Sequence, residues 1–353
     1  MQRAMIPVPV HANRVLIRSA NWVGDVVMSL PAIRAVRAYF PRAEIVMLAK
    51  PWVADLYRHL PDIDRILVYD RDGRHAGLGG ILRLCSELRQ VGFDVGISIQ
   101  NAFEAALILW WSRVPIRIGY AADARSPLLT HRVHRTRAVL NLHQVDYYRA
   151  LLEGVGIPAP DRSIRLVLST DEHLWAEEAL ARLGMNPSEI VCGINPGAAF
   201  GTAKRWPKDR WIELARRMLG SGIDRILVFG SPSEVPLGEE IASAVGPRCH
   251  SLCGKTDLRQ AMALIAACRL LVTNDSGLMH VAAALNVPLV AVFGPTRHDQ
   301  TSPLNQKARL IRVPVDCSPC MKPHCPIDHR CMTAVSVDRV LRESMEVLEM
   351  SRS

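Results

Sequence analysis

The segment VTNDSGLMHVA, residues 272–282, decides the fold class, because a strand pattern changes within it to a helix pattern. The apolar run 270–272 predicts the end of a buried strand, whereas Leu278, Val281 and Leu285 recur at helical spacing. The junction consists of small and polar residues: Asn274, Asp275, Ser276 and Gly277. A helix N-terminus carries free N–H groups and partial positive charge, and therefore suits an anion. The carboxylate already at this junction thus needs an explanation of its own.

The same strand-to-helix alternation runs along the whole chain in two series of apolar runs. The predicted strands are 14–19, 44–49, 65–70 and 94–100, and then 190–195, 225–230, 269–274 and 288–294. Such alternation predicts an α/β fold, with parallel sheets and helices on both faces. Gly and Pro interrupt both patterns near 154–163. We therefore predict two Rossmann-like domains, 1–165 and 166–353, whose strand-end loops face one cleft, with a final helix at about 336–350.

The length and composition agree with two ordinary globular domains. The chain has 353 residues, of which 49% are hydrophobic and 22% charged. No apolar run approaches the roughly 18–20 residues that span a bilayer. The opening segment, 1–19, lacks both a continuous apolar signal core and a small-residue cleavage site, so we expect a cytoplasmic location.

The chain is basic, which favours an acidic partner. Lys and Arg outnumber Asp and Glu by 43 to 34, a formal excess of +9. Nucleic acid, a phosphorylated substrate or an anionic membrane surface would each suit this charge. The region richest in arginine, 117–137, is either a solvated surface loop or a binding surface. No stacking-aromatic pattern of an RNA-binding module accompanies it, so we expect no nucleic-acid partner.

The segment NWVGD, residues 21–25, directly follows the first predicted strand. Gly24 permits a tight turn, and Asp25 stands at or near the start of the next helix. Two interpretations are open: Asp25 caps that helix, or its carboxylate acts as a general base. No GxGxxG pattern is present, so a dinucleotide site, and with it a nicotinamide oxidoreductase, is poorly supported.

The segment NPGAAFGTAKRWP, residues 195–207, has the composition of an anion-binding loop. Gly197 and its small neighbours let backbone N–H groups approach a phosphate closely, and Lys204 supplies positive charge. It is not a P-loop, because GK[ST] is absent, and a solvated loop is the alternative. We expect Trp206 and Trp211 to pack against the protein core rather than stack on a base.

The opening segment and this loop together suggest a sugar nucleotide as ligand. Ser276 and Gly277 can offer backbone N–H groups to a diphosphate, while Asp275 can accept hydrogen bonds from sugar hydroxyls. A sugar nucleotide joins these two groups covalently, which would explain a carboxylate beside an anion-binding helix start. The alternative is that Asp275 only caps the helix and that His280 is a packed helix residue.

Three segments carry a specific resemblance: NWVGDVVMSLPAIRAVR, PGAAFGTAKRWP and TNDSGLMHVAAALNVPLVAVFGPT. They resemble the ADP-heptose:lipopolysaccharide heptosyltransferases of glycosyltransferase family 9, and NWVGD, RIGY and PGAAFGTAKRWP are most similar to the heptosyltransferase II branch. The resemblance implies a GT-B fold, with an acceptor-binding domain before an ADP-heptose-binding domain. It also implies an inverting transferase of lipopolysaccharide core biosynthesis that needs no metal cofactor and is peripheral at the cytoplasmic face of the inner membrane. The alternatives are heptosyltransferase I, a related sugar-nucleotide transferase and a non-catalytic sugar-nucleotide-binding protein.

The same resemblance implies roles for individual residues. Asp25 matches the base that deprotonates the acceptor hydroxyl, Lys204 the lysine that contacts the donor phosphate, and Asp275 the acid that binds heptose hydroxyls. Ser276, Gly277 and His280 match the start of the donor-binding helix, and Glu234 stands where the family binds the ribose. We add Gly197 and Thr202 to the donor-binding candidates. Arg117, Arg125 and Arg132 become candidate contacts to the anionic inner core and lipid A.

The segment DCSPCMKPHCPIDHRCM, residues 316–332, contains four of the nine cysteines. Cys317, Cys320, Cys325 and Cys331 have C-x2-C-x4-C-x5-C spacing, and a pair two residues apart is typical of zinc ligands. Structural disulfides are not expected in the cytoplasm. The segment either holds a structural zinc or packs its loop with free thiols, and neither interpretation gives it a catalytic role.

Overall fold

A computed structural model describes residues 8–351 and divides into two compact units, one ending at Ile164 and the other beginning at Arg165. The outer ends of the two predicted domains, residues 1–7 and 352–353, lie outside the described residues. Each unit contains a six-stranded parallel sheet with helices between its strands. The predicted α/β class is therefore confirmed. Within residues 8–351, no helix is both long and apolar enough to cross a membrane.

The N-terminal unit alternates strands and helices throughout. Its strands are β1 (Arg14–Arg18), β2 (Glu44–Ala49), β3 (Arg65–Val68), β4 (Val95–Ser98), β5 (Ile116–Ala121) and β6 (His131–His134). Its helices are α1 (Val23–Tyr39), α2 (Pro51–Ala54), α3 (Gly77–Val91), α4 (Phe103–Trp111), α5 (Arg137–Leu140) and α6 (Gln144–Glu153). The sheet order is β3-β2-β1-β4-β5-β6.

The C-terminal unit has the same organisation. Its strands are β7 (Val191–Asn195), β8 (Arg225–Val228), β9 (Cys249–Ser251), β10 (Leu270–Asn274), β11 (Leu289–Val292) and β12 (Ala308–Ile311). Its helices are α7 (Thr170–Arg182), α8 (Lys208–Gly220), α9 (Val235–Val245), α10 (Leu258–Ala267), α11 (Gly277–Ala284), α12 (His298–Thr301), α13 (Arg330–Thr333) and α14 (Val337–Met350). The sheet order is β12-β11-β10-β7-β8-β9.

Both sheets thus have the Rossmann strand order, in which the third strand lies at one edge and the sixth at the other. The order reverses between β1 and β4 in the first unit and between β7 and β10 in the second. Ligands of open parallel sheets bind outside the carboxyl ends of the strands at such a switch point. The loops that follow these four strands are therefore where each unit should carry its chemistry.

Apolar burial explains why the predicted strands form. Every residue of β10 is buried, as is nearly every residue of β2, which is typical of central strands covered on both faces. In the second unit Trp206 and Trp211 are buried and pack edge to face, with ring centroids 5.2 Å apart. The prediction that both indoles belong to the protein core is confirmed.

The sequence patterns found the central strands but missed those nearer the edges. All eight predicted strands are present, each at most three residues shorter in total than predicted, whereas β5, β6, β9 and β12 were not predicted. Two of them lie in the basic region 117–137, so interpreting that whole region as a loop was wrong.

Candidate functional site

In the C-terminal unit, two loops at the switch point form a direct ion pair. Lys204 follows β7 and Asp275 follows β10, and Lys204 Nζ lies 2.6 Å from Asp275 Oδ2. The two side chains are only 14% and 6% exposed. The hydroxyl of Thr296, in the loop after β11, donates to the same carboxylate oxygen at 2.6 Å. The structure therefore brings these two predicted residues together and fixes the carboxylate between a cation and a hydroxyl.

The start of α11 is capped by Ser276, not by Asp275. The Ser276 hydroxyl accepts the N–H of Met279 at 3.4 Å and lies 3.1 Å from the Thr273 hydroxyl. The alternative in which Asp275 only caps this helix is therefore wrong. Gly277 is the first helical residue, and the N–H groups of a first turn have no carbonyl of their own helix to bind. They are suited to an anion beside Lys204.

The carboxamide of Asn274 holds the two loops in register. Its Oδ1 accepts the N–H of Trp206 at 3.2 Å. Its Nδ2 donates to the carbonyls of Pro196 at 2.8 Å and of Gly197 at 3.3 Å. Because Asn274 ends β10 and directly precedes Asp275, these bonds fix the loop that carries Lys204 against the loop that carries the carboxylate.

Glu234 lies at the same carboxyl edge of the sheet, in the loop after β8. Its Oε2 accepts the N–H and the hydroxyl of Ser231, both at 2.8 Å, and its Oε1 lies 3.8 Å from the Arg205 guanidinium. A Cβ added to Gly197 would lie 1.9 Å from Oε1, so any larger residue here would displace this carboxylate. His280, in contrast, is 3% exposed within α11, as expected for a packed helix residue.

The cysteine-rich segment packs against the Lys204 loop. The Pro323 carbonyl accepts the N–H of Ala203 at 3.0 Å, and the ring of His329 bonds the Ala203 carbonyl at 2.7 Å. Thr202, a predicted donor contact, instead places its hydroxyl 3.1 Å from His324 Nδ1. The cysteine-rich segment thus holds the Lys204 loop in place through these hydrogen bonds.

The four cysteines of this segment are free thiols. Burial, and then the nearby thiols of Cys317, Cys325 and Cys320, raise the pKa of the Cys331 thiol to about 11. Within residues 8–351 no three His, Cys, Asp or Glu side chains are grouped so that they could hold a metal ion. Both interpretations of the segment, a structural zinc site and free thiols that pack the loop, stay predictions.

In the N-terminal unit, Asp25 lies in the first turn of α1, directly after β1. The N-cap of this helix is Trp22, which makes no side-chain capping bond. The alternative that Asp25 caps the helix is therefore wrong. The hydroxyl of Tyr148, on α6, donates to Asp25 Oδ1 at 3.1 Å. Burial, and then the neighbouring carboxylate, raise the pKa of Tyr148 well above its ordinary value, so this hydroxyl remains a donor.

A second set of contacts holds α6 in place behind Tyr148. The Tyr120 hydroxyl donates to the Tyr147 carbonyl at 2.6 Å, and the two rings stack 4.5 Å apart. Asn101 donates to the Tyr147 hydroxyl at 2.6 Å and accepts from Arg125 at 2.5 Å. These bonds connect the loop after β4 to the helix that orients the Asp25 carboxylate.

The three arginines predicted to contact the acceptor have different environments. Arg125 is fully buried and also donates to the carbonyls of Tyr120 and Gln100, at 2.7 and 2.6 Å. Arg117 donates to the carbonyls of Leu128 and Val114, both at 2.6 Å. Only Arg132, on the edge strand β6, is exposed. Burial lowers the pKa of both Arg117 and Arg125. The acceptor-binding role of the three arginines stays a prediction.

Sequence reasoning missed two residues that touch the candidate site. Thr296 could have been found, because it follows β11 just as Asp275 follows β10. Tyr148 could not, since it is 123 positions from Asp25 and its helix was not predicted.

Comparisons with known proteins give consistent matches. A family model described as "Glycosyltransferase family 9 (heptosyltransferase)" matches residues 81–330. Lipopolysaccharide heptosyltransferase 2 of Salmonella typhimurium is 35% identical, covering 85% of this chain and 88% of its own length. The solved structure of Escherichia coli ADP-heptose LPS heptosyltransferase II has a TM-score of 0.81 at 31% identity, covering 96% of this chain and 100% of that one. Lipopolysaccharide heptosyltransferase 1 of Pseudomonas aeruginosa is 25% identical, covering 88% and 87%.

Proposed function

This chain belongs to glycosyltransferase family 9, the heptosyltransferase family, and from that membership we propose that it transfers heptose from ADP-heptose to the first inner-core heptose of lipopolysaccharide. It is a glycosyltransferase with the predicted GT-B fold. One observation carries the type II assignment: the chain is 35% identical to a heptosyltransferase 2, against 25% for a heptosyltransferase 1. The E. coli protein of this type, whose solved structure this chain resembles, is described as an ADP-heptose LPS heptosyltransferase.

On the donor side, the C-terminal unit binds ADP-heptose at its switch point. Lys204 and the first N–H groups of α11 contact the diphosphate and stabilise the charge that develops as ADP leaves. Asp275, 2.6 Å from Lys204, accepts hydrogen bonds from heptose hydroxyls. Phosphate and sugar are joined in the donor, and the side chains that bind them are joined by this ion pair. Glu234 binds the ribose from the adjacent loop.

On the acceptor side, the N-terminal unit supplies the base. The Asp25 carboxylate takes the proton of the acceptor hydroxyl as that oxygen attacks the anomeric carbon, and the configuration there inverts. Tyr148 donates to Oδ1 and so orients the carboxylate for this proton transfer. This division of labour assigns no metal to the transfer.

The enzyme works at the cytoplasmic face of the inner membrane, because its acceptor is anchored there by lipid A. The formal charge of +9 favours association with an anionic lipid surface and with the acidic inner core. Exposed Arg132 is a candidate contact to that core.

The test is transfer from ADP-heptose to defined truncated lipopolysaccharides that carry zero, one or two heptoses. We expect strong preference for the acceptor with one heptose. Preference for the heptose-free acceptor would instead identify a type I enzyme, and the absence of transfer to all three would refute heptosyltransferase activity.

A further inference from the structure

Two buried cations lie at the carboxyl edge of the N-terminal sheet, and the proposed mechanism gives neither a role. Arg18 ends β1 and Lys50 directly follows β2, and they are 1% and 4% exposed. Both contact the ring of Tyr69: Arg18 Cζ lies 5.6 Å and Lys50 Nζ 4.0 Å from its centroid. Two like charges therefore share one aromatic ring in the interior of the unit.

Neither cation forms an ion pair with a carboxylate in the described part of the chain. Arg18 donates to the Ser19 carbonyl at 2.6 Å and to Asn21 Oδ1 at 3.0 Å, but its Nε has no hydrogen-bond partner there. The contacts of the Lys50 ammonium are to the rings of Tyr69 and Trp52. The aromatic contacts stabilise the charges without neutralising them.

The surroundings make both charges costly. Burial lowers the pKa of Arg18 to about 10, and burial together with the Arg18 charge lowers the pKa of Lys50. Glu104 attracts both cations, but it is engaged in an ion pair with Arg71 at 3.4 Å. Buried charges are normally paired, because desolvation is otherwise uncompensated. A bound anion would supply the missing partner.

The position of this pair suits the acceptor. Trp52 is 52% exposed, and its Nε1 donates to the Asn21 carbonyl at 2.8 Å, so an open indole face borders the Lys50 ammonium 5.8 Å away. Asn21 stands immediately before the N-cap of α1, about one helical turn from Asp25. The cations, the indole and the candidate base thus belong to one strand-end edge.

We propose that Arg18 and Lys50 form a subsite for an oxyanion, a carboxylate or a phosphate, carried by the acceptor sugar, with Trp52 at its rim. The inference deepens the proposed function and rests on it, because it takes the acceptor to bind at this edge. Lys50, beside the exposed indole, contacts the anion, and Arg18 holds the positive charge behind it.

The test measures acceptor binding by calorimetry without donor, so that it does not depend on turnover. The probes are a heptose-bearing core fragment, the same fragment without phosphate, and the same fragment with its carboxylates reduced to alcohols. Lys50→Gln is compared with Lys50→Arg and with Arg58→Gln, which removes a cation that is 60% exposed. Thermal unfolding and ADP-heptose affinity are measured for every variant.

We expect Lys50→Gln to weaken binding of the intact fragment by about ten- to a hundredfold. It should not further weaken whichever fragment lacks the contacted anion, and Lys50→Arg should recover most of the loss. The melting temperature of Lys50→Gln should be unchanged or higher than that of the wild type, because the variant removes an unpaired buried charge. Equal losses on all three fragments, or no loss on any, would overturn the subsite. Anion-dependent binding without any heptose transfer would support the subsite and refute the proposed function.

Discussion

The two sheets have the same strand order, but the charges at their carboxyl edges are arranged differently. In the C-terminal unit, Lys204 and Asp275 neutralise each other at 2.6 Å, and Thr296 satisfies the same carboxylate. In the N-terminal unit, the buried cations Arg18 and Lys50 form no ion pair with any described carboxylate. We call the C-terminal edge closed, because its charged groups are paired with each other. We call the N-terminal edge open, because its two buried cations have no described carboxylate partner.

This difference predicts different responses to mutation. Removing one member of a closed pair leaves a buried charge without its partner, so stability and function should both fall. Removing a group from the open edge should change function and leave stability largely unaltered. Measuring unfolding beside activity therefore separates the two edges.

The largest effect is expected for Asp25→Asn. The substitution keeps the oxygen that accepts from Tyr148 but removes the proton acceptor, so turnover should fall by about 10²–10⁴-fold. Stability should hold, because Trp22, not Asp25, is the N-cap of the helix. Steady-state kinetics checks this. Asp209→Asn, in the first turn of α8, is the matched control and should stay fully active. Near-normal turnover of the Asp25→Asn variant would remove Asp25 as the base.

The next effect is expected for Lys204→Ala, which should lower kcat/KM for ADP-heptose by about ten- to a hundredfold. It should also lower the free energy of unfolding by about 1–3 kcal/mol, because the buried Asp275 carboxylate loses its cation. Kinetics and denaturant unfolding measure the two losses.

The double variant Lys204→Ala/Asp275→Asn separates the two losses. It should regain stability, because no buried charge is left unpaired, but it should not regain transfer. Recovery of transfer in the double variant would show that Lys204 serves only to neutralise Asp275.

A smaller effect is expected for Tyr148→Phe. Losing the hydroxyl that orients Asp25 Oδ1 should lower kcat by about three- to tenfold, with little change in donor affinity. Tyr120→Phe removes a buried hydroxyl that donates to a backbone carbonyl, and it should affect stability more than kcat. If the two variants lose the same fraction of kcat, the contact to Asp25 has no special role.

The smallest effect is expected for the cysteine-rich segment. Cys317 is exposed, and we expect Cys317→Ser to change unfolding by less than about 0.5 kcal/mol and transfer by less than twofold. Chelator treatment should leave the melting temperature unchanged. About one equivalent of bound zinc, lost together with stability on chelation, would instead support the C-x2-C-x4-C-x5-C interpretation.

Sequence patterns found most of the side chains that meet at the carboxyl edge of the C-terminal sheet, because these residues lie in local motifs. Lys204, Asp275 and Ser276 all lie in segments that follow central strands whose apolar runs are continuous. Lys204 pairs with Asp275 because β7 and β10 are adjacent in the sheet. This adjacency cannot be read from the sequence. The two residues could therefore be predicted from the sequence, but the ion pair between them became visible only in the structure.

The contacts at the carboxyl edge of the N-terminal sheet were harder to predict, because they are long-range. Arg117 and Arg125 are basic residues in a basic region, yet both donate to backbone carbonyls, and Arg125 is fully buried. Arg18 and Lys50 are recognisable in the sequence, because a charged residue at the end of a buried strand is unusual. Their common contact with the Tyr69 ring, which the sequence does not reveal, shows that the two charges belong together.

We infer that the C-terminal edge binds the donor and the N-terminal edge the acceptor, so the affinity for ADP-heptose should depend on the first edge alone. Calorimetric titration of ADP-heptose should give the same Kd for wild type and Asp25→Asn. The stable double variant Lys204→Ala/Asp275→Asn should bind the donor at least about tenfold more weakly. Loss of donor affinity in Asp25→Asn, or full affinity in the double variant, would contradict the division of labour.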